Sequence, residues 1–421
     1  MKDRTFARIS ALALVTGLIL LLTSLPATAA KASSKPSGGS TSRPAIKLIS
    51  ATPAGAVGNN YSMNPDITPD GRYIAFFSYA SNLVAGDTNG TVDSFVRDRS
   101  TGITERVSLS PSAAQLPKGG AYPSISADGR FVAFASSDPS LNPPSLMPDL
   151  GLIQPPLSVF IRDRQLGTTT LVSRNNDTGA RVEGSHPSIS DNGCRVAYET
   201  SDYSYLYDCT TGKVSRVGAA GAYEPAISGD GRFVAYTVYD PGTSSVHRLE
   251  IATGITQFVG VNNAGESANS DTVQPDISRD GNKVVFTSWA TNMGGGTYGG
   301  VFLRDLTAGT TKIVSVNSSG QPAESTSRYA SLSPDATHVA FVTSARNLIT
   351  NPNGLQQVYL HTLATGQTIL LSYVQSGKPS SGHSHYPSTS ASGAVVAFDS
   401  DAPDLVSGDT NNTYDVFAAI K

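Results

Sequence analysis

Three features of the sequence predict an all-β chain folded as a seven-bladed β-propeller of four-stranded antiparallel blades. A strand-turn-strand phrase recurs seven times, the spacing leaves room for two more strands after each copy, and the strand missing from the last copy is found ahead of the first. The copies are NPDITPDGRYIAF from Asn64, YPSISADGRFVAF from Tyr122, HPSISDNGCRVAY from His186, EPAISGDGRFVAY from Glu224, QPDISRDGNKVVF from Gln274, YASLSPDATHVAF from Tyr329 and YPSTSASGAVVAF from Tyr386.

Each copy opens with a short alternating stretch, turns on a pair usually written Asp-Gly or Asn-Gly, and continues in a second apolar stretch, which is the pattern of a tight β-hairpin. A third strand follows, as in SFVRD, SVFIRD or GVFLRD, and after a Thr-Gly type of turn a fourth, as in TERVSL, TTLVS or TKIVS. The copies stand about 54 residues apart on average, which is ample for a four-stranded blade. The last copy stops after its third strand, YDVFAAI, whereas IKLIS, from Ile46 to Ser50, precedes the first copy and matches KIVS and ILLS. The N-terminal strand is therefore expected to close the last blade, leaving the ring without an open seam. Closure makes neighbours of two similar stretches, GDTNGTVDSFVRD from Gly86 to Asp98 and GDTNNTYDVFAAI from Gly408 to Ile420. The propeller is assigned to residues 46–421.

Ahead of it, Lys2, Arg4 and Arg8, an apolar run from Ile9 to Leu25 and the small residues Ala27, Ala29 and Ala30 have the layout of a secretory signal peptide, assigned to 1–30. An uncleaved anchor is the alternative, although the run is short for a membrane span. Residues 31–45, rich in Ser, Gly, Lys and Pro, are expected to be a disordered linker. After cleavage the chain carries 27 basic and 32 acidic residues. That balance, with no basic stripe, argues against a nucleic-acid partner. The expected product is a monomer without a stable membrane span, secreted or held in the periplasm or cell envelope.

Cys194 and Cys209 are the only two cysteines. A tight turn centred on Ser201 and Asp202 would set them opposite each other in the third unit, at a separation that suits a disulfide. Two free thiols are the alternative.

The SPDG-like turn followed by an apolar strand, as in TPDGRYIAF and SGDGRFVAY, resembles the WD40-like repeat of TolB-type β-propellers, and the resemblance covers nearly everything from Ile46 onward. It implies the propeller fold. No folded domain is expected before the propeller, unlike in TolB, so the role of TolB in the cell envelope is not carried over.

The twin stretches contain DxNxxxD, formed by Asp87, Asn89 and Asp93 and again by Asp409, Asn411 and Asp415. Alternating side-chain oxygens resemble loops that wrap calcium, which makes calcium the one cofactor to consider. Asp and Asn also favour turns by bonding nearby backbone amides. The sixth unit aligns Asn351, Asn353 and Gln357 with the same positions, so the loop shape is expected to survive loss of charge.

Propeller ligands usually sit at the mouth of the central channel. The residues preceding the repeat's Pro, namely Asn64, Tyr122, His186, Glu224, Gln274, Tyr329 and Tyr386, would form a ring there, with His383 and His385 nearby. Such a ring could stack sugars or grip a peptide, or it could simply be wet by channel water. No GxSxG, no HExxH and no free Cys-His pair is present, and no catalytic residue is assigned. Oligogalacturonate lyases resemble the propeller alone and use a metal held by His and Gln, which would implicate His186, Gln274, His383 and His385. The sequence thus points to an exported, non-catalytic module that binds a protein, peptide or glycan of the envelope or extracellular space. A metal-dependent polysaccharide lyase-like or other carbohydrate-active propeller is the alternative.

Overall fold

The computed structural model of the chain describes residues 43–141, 156–218, 220–240, 242–349 and 354–421. The signal peptide and most of the linker lie outside the described residues, as do Asn351 and Asn353. Seven antiparallel sheets of four strands each are present. Their innermost strands are Ser62–Ile67, Ala121–Ile125, Ser185–Ile189, Ala222–Ile227, Thr272–Ile277, Ser327–Leu332 and Ser384–Thr389. In the first six blades the strands follow one another outward in chain order.

The repeated turn has a chemical explanation. In the first blade Thr68 Oγ1 bonds Asp70 Oδ1 at 2.5 Å, the same carboxylate oxygen accepts from Arg72 N–H at 2.9 Å, and Tyr73 N–H donates back to Thr68 Oγ1 at 3.0 Å. Ser126 and Asp128 repeat the arrangement in the second blade. Glycine completes the turn for two reasons. Gly129 has φ +73°, which an L side chain resists, and a Cβ there would lie 2.3 Å from the Tyr73 ring of the preceding blade. Gly193 likewise faces Phe131 of the blade before it. In the sixth blade Ala336 holds φ 53°. The preceding blade has Lys283 where the first two have Tyr73 and Phe131, and Ala336 and Lys283 line one shallow groove.

The second strands are buried throughout, as in Ile74, Ala75 and Phe76, because neighbouring blades cover both of their faces. Several outermost strands alternate instead between exposed and half-buried residues, as in Ile103–Arg106. The core therefore lies between blades: Ala75 and Val96 of the first pack with Ile125 and Val132 of the second. A cross-strand ring pair recurs inside the blades, with centroids 5.8 Å apart for Phe76 and Phe95 and 6.1 Å for Phe398 and Phe417. Each fully buried ring contributes roughly 2–3 kcal/mol.

Closure occurs as the sequence predicts. The strand Ala45–Leu48 is the outermost strand of the seventh blade, where Ala45 pairs with Ile420, Lys47 with Ala418 and Leu48 with Phe417. It begins one residue before the predicted boundary. Ser50 extends the contact, donating from Oγ to Asp415 Oδ1 at 2.7 Å and accepting from Val416 N–H at 3.0 Å. Cys194 and Cys209 form the predicted disulfide, with Cα atoms 5.0 Å apart. The hairpin register joins Arg195 to Asp208 directly beside it.

Candidate ligand cavity on the propeller axis

All seven innermost strands break register at the same place, between Met63 and Asp66 in the first blade and between His385 and Ser388 in the seventh. The residue at the break is the one preceding the repeat's Pro. Asn64, Tyr122, His186, Glu224, Gln274, Tyr329 and Tyr386 all adopt the left-handed region, with φ between 44° and 55°. That conformation costs a non-glycine residue roughly 1 kcal/mol or more, and seven equivalent instances show that the fold imposes it. The bulges place all seven side chains around one cavity of about 600 Å³. The sequence-predicted ring is therefore assembled in space.

A second ring, two residues further along each strand, was not singled out from the sequence. It comprises Asp66, Ser124, Ser188, Ala226, Asp276, Ser331 and Ser388. Six of these side chains accept a backbone N–H from the next blade. Asp66 accepts from Ile125 at 2.8 Å, Ser124 from Ile189 at 3.3 Å, Ser188 from Ile227 at 3.1 Å, Asp276 from Leu332 at 2.7 Å, Ser331 from Thr389 at 3.1 Å and Ser388 from Ile67 at 3.1 Å. The belt breaks only at Ala226, where Ile277 N–H turns back to Asp276 Oδ1 at 2.8 Å. The signal was present in the column of Asp and Ser that follows the Pro in all but one copy.

Four carboxylates, Asp66, Glu199, Glu224 and Asp276, supply the charge of the polar wall. Glu199 takes the Nδ1 of His186 at 2.8 Å and the backbone N–H of Glu224 at 3.0 Å. Glu224 in turn accepts from Gln274 N–H and from Thr237 Oγ1, both at 2.8 Å. Burial alone would raise Glu199, but these donors outweigh it and its pKa lies below the usual range. Burial pushes Asp66 upward despite hydrogen bonds from Ile125 N–H and the hydroxyls of Ser124 and Ser388. It raises Asp276 to about 6, with a smaller push from Asp66 across the channel. Rings interleave with the acids: Tyr122 and His186 have centroids 4.0 Å apart, and Tyr329 and Tyr386 4.7 Å. The cavity lining contains no Lys or Arg.

His383 and His385 do not line this cavity. Their rings stack with centroids 6.0 Å apart, and His385 is engaged by Gln356. No group of three or more His, Cys, Asp or Glu placed to hold a metal ion occurs among the described residues.

Neither DxNxxxD loop reaches the cavity. Both contain the expected Asx contact, from Thr91 N–H to Asn89 Oδ1 at 3.1 Å and from Thr413 N–H to Asn411 Oδ1 at 3.2 Å. In the first loop Arg106 lies between the carboxylates, 3.3 Å from Asp87 and 3.4 Å from Asp93. In the second, burial raises Asp409 and takes Asp415 to about 7. Gln357 shares their latch, accepting from Ser372 Oγ at 2.5 Å as Asp93 accepts from Ser108.

No family model matches the sequence, and no curated protein does. Solved structures do resemble the fold. An oligogalacturonate lyase from Vibrio parahaemolyticus aligns at TM-score 0.55 and 11% identity, covering 90% of this chain and 97% of that one. The β-propeller domain of the Trilobed protease from Pyrococcus furiosus, described as having an open velcro topology, aligns at TM-score 0.52 and 8% identity over 86% of this chain and 95% of that one. TolB from Acinetobacter baumannii aligns at TM-score 0.41 and 16% identity over 91% of this chain and 86% of that one. At such identities the likeness is one of fold, and by fold this chain is a seven-bladed β-propeller whose ring is closed by its own N-terminal strand.

Proposed function

We propose that the chain is an exported, non-catalytic binding module whose axial cavity takes a protein or peptide segment presenting a lysine or arginine side chain. One observation carries the reading: Asp66, Glu199, Glu224 and Asp276 share a cavity of about 600 Å³ with Tyr122, Tyr329 and Tyr386, and no Lys or Arg lines it. The partners of these acids are backbone N–H groups, hydroxyls and one imidazole, which satisfy hydrogen bonds without supplying a fixed positive charge. A cationic side chain would gain Coulomb energy there and could also stack on the tyrosine faces. An acidic polysaccharide would meet four carboxylates and no Lys or Arg, so we favour binding over the lyase reading, on which likeness of fold is silent. The disulfide and the basic-apolar-small layout of residues 1–30 support export. No helix among the described residues is long and apolar enough to cross a membrane.

Isothermal titration with an arginine-containing hexapeptide and its aspartate counterpart tests this. The basic peptide is expected to bind, more weakly at high salt, and Glu199→Gln with Glu224→Gln to weaken it about tenfold, or about 1.4 kcal/mol. Gln keeps an acceptor for Gln274 N–H, so the ring should persist. Binding of the acidic peptide alone, or manganese-dependent cleavage of oligogalacturonate, would overturn the proposal.

A further inference from the structure

The twin loops share a backbone and differ in what faces them. Asn89 donates from Nδ2 to Leu116 O and Asp93 Oδ2, both at 2.9 Å, and Asn411 makes the equivalent bonds to Gly58 O at 2.9 Å and Asp415 Oδ2 at 2.7 Å. Strand register makes the comparison exact in sequence terms. Arg106 pairs with Phe95 and Leu48 with Phe417, so Leu48 stands in the place of Arg106. Gln115 bridges Leu109 and Val57 bridges Ala51, so Val57 stands in the place of Gln115.

In the first blade Asp87 is held by both of those polar residues, with Gln115 Nε2 at 2.8 Å and Arg106 at 3.3 Å. In the seventh blade both are replaced by aliphatic side chains, yet the carboxylate remains. Asp409 is only 9% exposed, and its Oδ1 is buried with no hydrogen-bond partner among the described residues. A buried, unpartnered carboxylate oxygen is costly unless a cation meets it.

We propose that a calcium ion binds the seventh-blade loop between Asp409 and Asp415 and does there what the Arg106 guanidinium does in the first blade. The donors on offer are all oxygen, which suits a hard cation. Asn411 keeps its amide turned to Gly58 O and Thr413 N–H, so water and loop carbonyls would complete the shell. Because Asp415 also accepts from Ser50 Oγ, the ion would tie the last strand to the N-terminal segment at the closing seam. The first loop, with its charge met internally, would bind none. The proposal stands apart from the cavity reading.

The test is calcium titration of the full chain, by calorimetry and by melting in CaCl₂ against EDTA, with MgCl₂ as control. One ion per chain is expected, with Tm about 3 °C higher at a hundredfold excess over Kd. Asp409→Asn should abolish the response. Leu48→Arg with Val57→Gln should make Tm indifferent to calcium, and Arg106→Leu with Gln115→Val should raise the stoichiometry to two. No heat and no Tm shift for the unaltered chain would overturn the proposal. A response that survives Asp409→Asn would place the ion elsewhere and overturn it equally.

Discussion

Ser188→Ala and Ala226→Ser probe the inter-blade belt from opposite sides. Ser188 Oγ accepts Ile227 N–H at 3.1 Å, across the seam between the third and fourth blades. Removing the hydroxyl leaves that N–H without its acceptor, beside a side chain that is 6% exposed. The cost of an orphaned buried donor is about 1–2 kcal/mol. Ala226→Ser should do the reverse at the next seam: it offers Ile277 N–H an acceptor on the neighbouring blade and frees Asp276 Oδ1 from its own strand. The gain should be about 0.5–1.5 kcal/mol. For a chain of this length a change of 1 kcal/mol moves Tm by only about 1 °C, so amide hydrogen exchange is the sharper assay. Ile227 should exchange faster in the first variant, and Ile277 more slowly in the second. Unchanged exchange at both amides, with unchanged Tm, would refute the view that the belt holds the blades together.

Two further outcomes follow from the same structure. Replacing Cys194 and Cys209 by Ser should cost about 3 kcal/mol, since the bridge closes a loop of about sixteen residues, and the loss should appear as a lower urea midpoint. Asp399 is buried, faces His385 at 4.0 Å with Asp401, Tyr386 and Tyr414 nearby, and has its pKa raised to about 7, chiefly by burial. The folded state thus holds this proton more tightly than the unfolded one, so the stability it contributes is full below about pH 4 and is lost as pH rises through 7. Asp399→Asn keeps an acceptor for the Asn64 N–H, bonded at 3.0 Å, and should remove that part of the pH slope. It should be more stable than the parent at pH 8 by up to about 4 kcal/mol. Melting curves from pH 4 to pH 9 that run parallel for the two proteins would contradict the assignment.

Much of the ring is legible in the sequence because the physics that builds it is local and repeated. A Ser or Thr, an Asp and a Gly in fixed order specify the turn in four of the seven copies, and the other three change one of these residues without losing the pattern, so the blades can be counted. Closure is legible because a missing strand and a surplus strand must find each other. The cavity ring could be placed for a similar reason, since seven residues in one column must meet at the axis. Its left-handed backbone could not: Tyr, Glu and Gln, five of the seven residues, carry no preference for that region, and the bulge belongs to the sheet. The loops mark the opposite limit. Asp87 and Asp409 sit in almost identical words, and what separates them is Arg106 and Gln115 on one side and Leu48 and Val57 on the other. Those partners arrive from outer strands and the segments after them, up to several hundred residues away.

Hydrogen exchange read by mass spectrometry over residues 45–50 and 415–420 is the most direct test of ring closure. The N-terminal segment should be protected to the same degree as the outermost strands of other blades, such as Ile103–Arg106 and Thr310–Ile313. It should also lose protection together with the strand Asp415–Ile420. Exchange of 45–50 at the rate of an unstructured peptide, while the outer strands of the other blades stay protected, would mean that the chain does not close its own ring.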